Sequence, residues 1–221
     1  MTMKKLVIAL FALLLPALAS AAGGGANPHI VPAPISITDK AQAQRGAQLF
    51  MNYCYGCHSL QYLRYERMAN DLDIPLDLLA GNLMFNTDKP GDPIISPIDP
   101  VEAKKWFGAA PPDLTLEARL RGADWIYSYL ISFYPDETRP TGVNNHVFPN
   151  VGMPHVMADL QRTLPEEEFK AKMADITAFL EYAADPIQVQ RITIGIFVIG
   201  FLLVLLVFTW LMKREYWKDV H

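Results

Sequence analysis

From Ile192 to Met212 the chain runs for 21 residues without a charge, ITIGIFVIGFLLVLLVFTWLM. As a helix rising about 1.5 Å per residue, such a run covers roughly 30 Å, the thickness of the hydrocarbon core of a bilayer. A helix packed on a soluble core keeps one polar face, and this one has none. The segment therefore predicts one membrane-spanning helix, and the rest of the chain must lie on one side of the membrane or the other. Trp210, Tyr216 and Trp217 suit the aromatic belt at the membrane interface. Lys213, Arg214 and Lys218 follow the span, whereas only Arg191 immediately precedes it. The excess of positive charge places residues 213–221 in the cytoplasm and the bulk of the chain on the export side.

The first residues agree. Lys4 and Lys5 precede an apolar run from Leu6 to Leu18, with Ala17, Ala19 and Ala21 spaced for cleavage after Ala19 or Ala21. This is the pattern of a secretory signal peptide over residues 1–21; the alternative is a short anchor that is retained. The expected layout is a signal peptide at 1–21, an exported domain at 22–190, the span at 191–212 and a cytoplasmic tail at 213–221. Within 22–190 there are 13 Lys and Arg against 21 Asp and Glu, a net charge of −8. That balance argues against a nucleic-acid partner, whose phosphates it would repel. It is compatible with electrostatic steering of a basic partner.

The chain's two cysteines stand together in NYCYGCHS, with His58 directly after the second. A structural zinc site needs four ligands, and no second C-x-x-C or H-x₃₋₅-H completes one. A thioredoxin-type redox pair belongs in a βαβ setting, and no alternating strand pattern surrounds this one. A plain disulfide is allowed outside the cytoplasm but gives His58 no role. Covalent haem attachment uses all three residues: Cys54 and Cys57 form thioethers and His58 supplies the proximal iron ligand. One covalent haem c is the expected cofactor.

The sixth iron position decides between small-molecule chemistry and electron transfer, because Met/His ligation saturates the iron and raises its potential. Met153 lies in FPNVGMPHVMADLQ, where Pro149, Gly152 and Pro154 prevent a regular helix. A rigid non-helical segment can present a sulfur to a haem face. Met157, His155 and His146 are rivals nearby, whereas Met51, Met68, Met84 and Met173 lie in apolar or helix-like settings and read as packing residues.

The segment RGAQLFMNYCYGCHSLQYLRY, beginning at Arg45, resembles the haem-binding segment of the cytochrome c1 family. GAAPPDLTLEARLRG at 108–122 is similar to that family's second signature, and GMPH at 152–155 to its Met-Pro segment. The single C-terminal anchor followed by Lys-Arg fits as well, so the likeness covers nearly the whole mature chain in order. The resemblance implies Met153 as sixth ligand, Pro111 and Pro112 against the haem edge, and Arg119 near a propionate. It further implies single-electron transfer from a Rieske iron–sulfur protein to a soluble cytochrome c, with cytochrome b as the membrane neighbour in a dimeric bc1 complex. Trp106 and Phe107 stand where mitochondrial members carry polar residues, and His155 replaces a second proline. These departures suggest a bacterial version, held in the inner membrane. An anchored c-type cytochrome of another oxidase or dehydrogenase is the competing reading.

The expected fold is an all-α, class I-like c-type cytochrome domain with long loops, followed by the span. Thr38 can cap a helix from Asp39 to about Tyr53, and a second helix is expected over Leu60 to Leu72. Residues 73–112 are rich in proline with little periodicity and read as a long loop system. Further helices are expected at about 114–121 and 124–133. A last soluble helix from Pro165 to about Ala184 has Glu166, Glu167 and Glu168 in its first turn, where the helix dipole favours acid.

Overall fold

The computed structural model describes residues 27–220; the expected signal peptide and His221 lie outside the described residues. Helix α1, Lys40–Tyr53, places Ala43, Gly46, Ala47 and Phe50 on one buried stripe at helical spacing. Its cap is Asp39, not Thr38: the Asp39 carboxylate accepts the Gln42 N–H at 3.0 Å, while the Thr38 hydroxyl pairs with that of Ser36. The stripe packs on the helix expected near the end of the domain, which spans Glu166–Ala184 and carries three acidic residues in its first turn. Phe50 and Phe179 meet at the crossing with ring centroids 5.5 Å apart, and both are fully buried. Each such side chain contributes about 1.5–3 kcal/mol by leaving water.

The expected helix over Leu60 to Leu72 forms only in its second half. Leu60–Arg64 is a strand, β1, and Tyr65–Asp71 is helix α2. Leu60 and Leu63 are both buried, a three-residue spacing that imitates a helix. A partner decides the outcome: β1 pairs antiparallel with β2, Pro93–Ile94, through a register irregularity. The adjoining Tyr65 and Glu66 N–H groups donate to the Asp92 and Pro90 carbonyls.

The expected loop system of 73–112 also contains two short helices, α3 (Leu76–Asn82) and α4 (Pro100–Phe107). Asp99 caps α4 by accepting from Val101 and Glu102 N–H, Pro100 opens it, and Gly108 closes it with a φ of 80°. That is a complete set of start and stop signals between Asp99 and Gly108. Helices α5 (Glu117–Arg121) and α6 (Ala123–Ile131) are separated only by Gly122, whose φ of 89° turns the chain between them. A hairpin follows, β3 (Phe133–Pro135) paired in register with β4 (Val143–Asn145). Next come α7 (Ala158–Thr163) and the long helix Glu166–Ala184, now α8. The domain is thus mainly helical, with two small two-stranded ribbons, as the all-α expectation requires.

Asp185 and Pro186 separate α8 from α9, Gln188–Tyr216, which contains the expected span and extends beyond it at both ends. None of its side chains is buried, and it is long and apolar enough to cross a membrane. The buried Asp185 carboxylate receives the Arg191 guanidinium at 2.5 and 3.1 Å, and Gln188 donates to Glu181. These contacts tie the foot of the domain to the start of the membrane helix.

Candidate haem site

The α1 helix ends in a tight turn that gathers the three motif residues. Cys54 and Tyr55 N–H both donate to the Phe50 carbonyl, and Cys57 and His58 N–H both donate to the Cys54 carbonyl. The Ser96 hydroxyl holds the Gly56 carbonyl at 3.0 Å, and the Ser96 N–H donates to the Ser59 hydroxyl at 2.9 Å. Cys54 is buried, Cys57 is partly exposed, and their thiols are not bridged. Burial pushes the Cys54 thiol up to about 12, with the neighbouring Cys57 adding to the effect.

His58 is buried, and its Nδ1 lies 2.8 Å from the Pro112 carbonyl. A carbonyl can only accept, so Nδ1 carries the proton and Nε2 keeps its lone pair, the tautomer a metal ligand needs. Burial lowers the imidazole below its ordinary range, outweighing the opposite pull of the Pro112 carbonyl and of Asp113 and Glu117. The ring is neutral at pH 7.

These residues line a cavity of about 330 Å³ whose walls are largely apolar and aromatic. Cys54, Cys57 and His58 are joined there by Pro111 and Pro112, by Trp125 and Tyr129 of α6, by Ile176 and Leu180 of α8, and by Phe148 and Met153. The Tyr129 hydroxyl donates to the Met153 sulfur at 3.3 Å. Two thiols, a neutral imidazole with a free lone pair and a thioether sulfur in one apolar cavity form a donor set that fits a covalently held haem. Among the described residues no group of three or more His, Cys, Asp or Glu stands close enough to hold a metal ion.

The three rivals to Met153 do not line this cavity. Met157 is 2% exposed and belongs to the hydrophobic core. His155 stacks on Phe133 with ring centroids 4.7 Å apart, and its Nε2 lies 2.5 Å from Gln161. His146 is exposed and stacks on Tyr134 and His29.

Arg119 is exposed and does not line the cavity, whereas Arg121 does. On a helix of 100° per residue, positions 117 and 121 share a face and 119 lies on the opposite one. Arg121 donates to Glu117 at 2.8 Å, and its guanidinium carbon lies 4.3 Å from the centre of the Trp125 ring. Trp125, Tyr129 and Phe148 line the cavity and were missed by sequence reasoning; the aromatic run DWIYSYLISFY of α6 and its C-terminal flank was the available signal for the first two, and Phe148 lies five residues before Met153.

The Cytochrome C1 family model matches residues 32–220. A cytochrome c1 of Allochromatium vinosum is 47% identical, over 99% of this chain and all of the relative. The ammonia monooxygenase gamma subunit of Nitrosomonas europaea is 36% identical, over 89% of this chain and 91% of that protein. A cytochrome c1 of Rhodospirillum rubrum is 29% identical over 82% of this chain and 83% of its own length. The chain belongs to the cytochrome c1 family, electron-transport proteins of the respiratory chain that carry covalently bound haem c.

Proposed function

We propose that this chain is the haem subunit of a cytochrome bc1 complex, a ubiquinol–cytochrome c reductase, and that it relays single electrons from a Rieske iron–sulfur protein to a soluble cytochrome c. The observation that carries the reading is the meeting of Cys54, Cys57, His58 and Met153 in one apolar cavity. In this reading the Cys54 and Cys57 sulfurs would tether the haem through thioethers, and His58 Nε2 and the Met153 sulfur would ligate its iron. The bound haem supplies a one-electron couple, and Met/His ligation keeps small molecules off the iron and the potential high. The Pro112 carbonyl fixes the imidazole tautomer and plane through Nδ1. Pro111 and Pro112 contribute no N–H groups, so this wall brings no unpaired donor to the macrocycle. Arg121, at the cavity, is placed to receive a propionate, the role that family resemblance gives to Arg119.

Cytochrome b is the membrane neighbour of α9, and the complex is a dimer in the bacterial inner membrane. The layout is a signal peptide at 1–21, a periplasmic haem domain at 22–190, a span at 191–212 and a cytoplasmic tail at 213–221. A reporter that works only after export should be active when fused at Asp185 and silent when fused after His221. The reverse pattern would invert the topology.

Co-isolation tests the assignment. A gentle detergent extract should hold this chain with cytochrome b and an iron–sulfur subunit, and the denatured chain should retain haem stain after acid-acetone extraction. Loss of all stain to the solvent would refute the tether, and isolation without cytochrome b would refute the complex. The likeness to an ammonia monooxygenase subunit favours a second reading, service to a different oxidase. Under that reading the co-isolated partners are oxygenase subunits in place of cytochrome b.

A further inference from the structure

Met153 sits in a stretch without regular structure, between β4 and α7. Among the described residues, backbone–backbone hydrogen bonds do not hold residues 147–153; side chains of the β3–β4 hairpin do. Asn144 is 7% exposed. Its Oδ1 accepts the N–H of Asn145 at 2.9 Å and that of Asn150 at 2.8 Å, and its Nδ2 donates to Asp136 at 2.9 Å. Arg139, near the hairpin tip, donates from Nη2 to the Asn150 carbonyl at 2.9 Å and the Val151 carbonyl at 3.4 Å. Its Nη1 donates to the Asn150 side-chain oxygen at 3.3 Å.

Asn150 itself stands at a φ of 64°, a left-handed conformation that asparagine tolerates better than most residues other than glycine. Two side chains hold the peptide units on either side of its Cα, Asn144 at the N–H and Arg139 at the carbonyl. Asn145 extends the same platform: its Oδ1 accepts the Val147 and Phe148 N–H groups, and its Nδ2 donates to the Tyr129 carbonyl at 2.8 Å. The hairpin is thereby joined to α6, the helix whose Tyr129 hydroxyl touches the Met153 sulfur.

We propose that Asn144 and Arg139 are positioning residues for Met153: by clamping the backbone at Asn150 and Val151 they hold the sulfur on the cavity side. The inference rests on the reading of Met153 as the sixth ligand. Without the clamp, the stretch from Val147 to Met153 loses its fixed end, and the sulfur spends part of its time away from the site. The purpose of the hairpin is then to supply a rigid support for one ligand, at a distance from the haem itself.

The test uses the full membrane-anchored holoprotein in detergent, with Arg139→Gln, Arg139→Lys, Asn144→Ala and Met153→Leu prepared together. The readouts are the long-wavelength absorption band of sulfur-ligated ferric haem, carbon monoxide binding by the ferrous form, the midpoint potential and the thermal unfolding midpoint. Arg139→Gln and Asn144→Ala should weaken the band, admit carbon monoxide in a fraction of molecules and lower the potential, with the haem still attached. Arg139→Lys, which keeps the charge but loses the planar fork whose second nitrogen reaches the Asn150 side chain, should fall between Gln and the unaltered chain. If Asn144→Ala does not fold, the pair of substitutions at the half-buried Arg139 decides. Should Met153→Leu open the iron while the Arg139 and Asn144 variants match the unaltered chain, the clamp is refuted and the ligand stands. If Met153→Leu leaves the band and carbon monoxide exclusion intact, the ligand assignment fails and takes this inference with it.

Discussion

A Cβ placed on Gly46 would lie 1.9 Å from the carbonyl oxygen of Asp175 and 2.7 Å from the Cβ of Phe179. The backbones of α1 and α8 are therefore in direct contact at their crossing, and only glycine permits it. Arg45, the preceding residue, closes the same junction with two hydrogen bonds to the Asp175 carboxylate, at 2.9 and 3.0 Å. The contact bears on the site, because α1 ends at the cysteine pair and α8 lends Ile176 and Leu180 to the cavity.

Gly46→Ala should destabilise the protein by about 2–3 kcal/mol, since the obstacle is backbone and cannot rotate away. Denaturant unfolding followed through the haem absorption measures this. Gly81→Ala in α3 is the contrast: nothing lies within 4 Å of its Cβ position, so a gain of about 0.5–1 kcal/mol is expected there. Equal stabilities for the two variants would show that the helices can separate at no cost.

Met153→Leu keeps similar bulk and removes the sulfur, so packing should suffer by less than about 1.5 kcal/mol. The potential should fall, and the ferrous iron should bind carbon monoxide while the haem stays tethered. Met157→Leu, a substitution in the core, should change stability within the same limit and leave the potential alone. A potential drop confined to Met157→Leu would move the ligand to that residue.

Arg121→Leu should lower the midpoint potential more than Arg119→Leu does. A guanidinium beside a propionate offsets negative charge that otherwise favours ferric iron, an effect on the order of 1 kcal/mol, or roughly 40 mV. Glu117, which pairs with Arg121 at 2.8 Å, already balances part of that charge, so a Glu117→Gln variant should shift the potential upward. Potentiometric titration of the three variants orders them directly. A larger drop for Arg119→Leu would mean that α5 turns its other face to the haem.

The C-x-x-C-H motif that opens onto the cavity was legible in the sequence from its spacing, and the long C-terminal helix from a 21-residue run with no polar face. That Arg121 and not Arg119 lines the cavity was not legible, since choosing between them requires the phase of a five-residue helix that the sequence does not mark. Leu60–Arg64 was misread because Leu60 and Leu63 repeat at helical spacing, and only the distant Pro93–Ile94 supplies the pairing that makes them a strand. The α4 helix was different. Asp99, Pro100 and Gly108 announce it, but the prolines around it drew attention to loops.

Acid should loosen the support of Met153 before it unfolds the domain. The Thr138 hydroxyl and the Asn144 amide hold the Asp136 carboxyl below its usual range. Because the folded value is depressed, this contribution is complete above the ordinary aspartate value of about 3.9 and is lost as pH falls through the lower folded value. Amide hydrogen exchange across residues 133–145 should show protection falling below about pH 4. Asp136→Ala should start from lower protection and lack that acid-dependent step. Identical profiles for the two proteins would remove Asp136 from the hairpin's support.

Tyr129→Phe should lower the potential without opening the iron. The Tyr129 ring is held between Trp125, stacked at 5.2 Å and 9°, and Phe133, edge-on at 5.2 Å and 74°. The substitution therefore keeps the ring in place and deletes only the hydroxyl. Burial raises the pKa of that hydroxyl, with Arg121 opposing in part, so it stays protonated and donates to the Met153 sulfur at 3.3 Å. A donor on the thioether withdraws electron density that the sulfur would otherwise give to ferric iron, and so favours the ferrous form. A neutral hydrogen bond is worth about 0.5–1.5 kcal/mol, which for a one-electron couple corresponds to roughly 20–60 mV. The Phe variant should sit lower by that amount while retaining its sulfur ligation band and its refusal of carbon monoxide. An unchanged or higher potential would show that the hydroxyl does not act on the sulfur, and carbon monoxide binding would show that it holds Met153 in place as well.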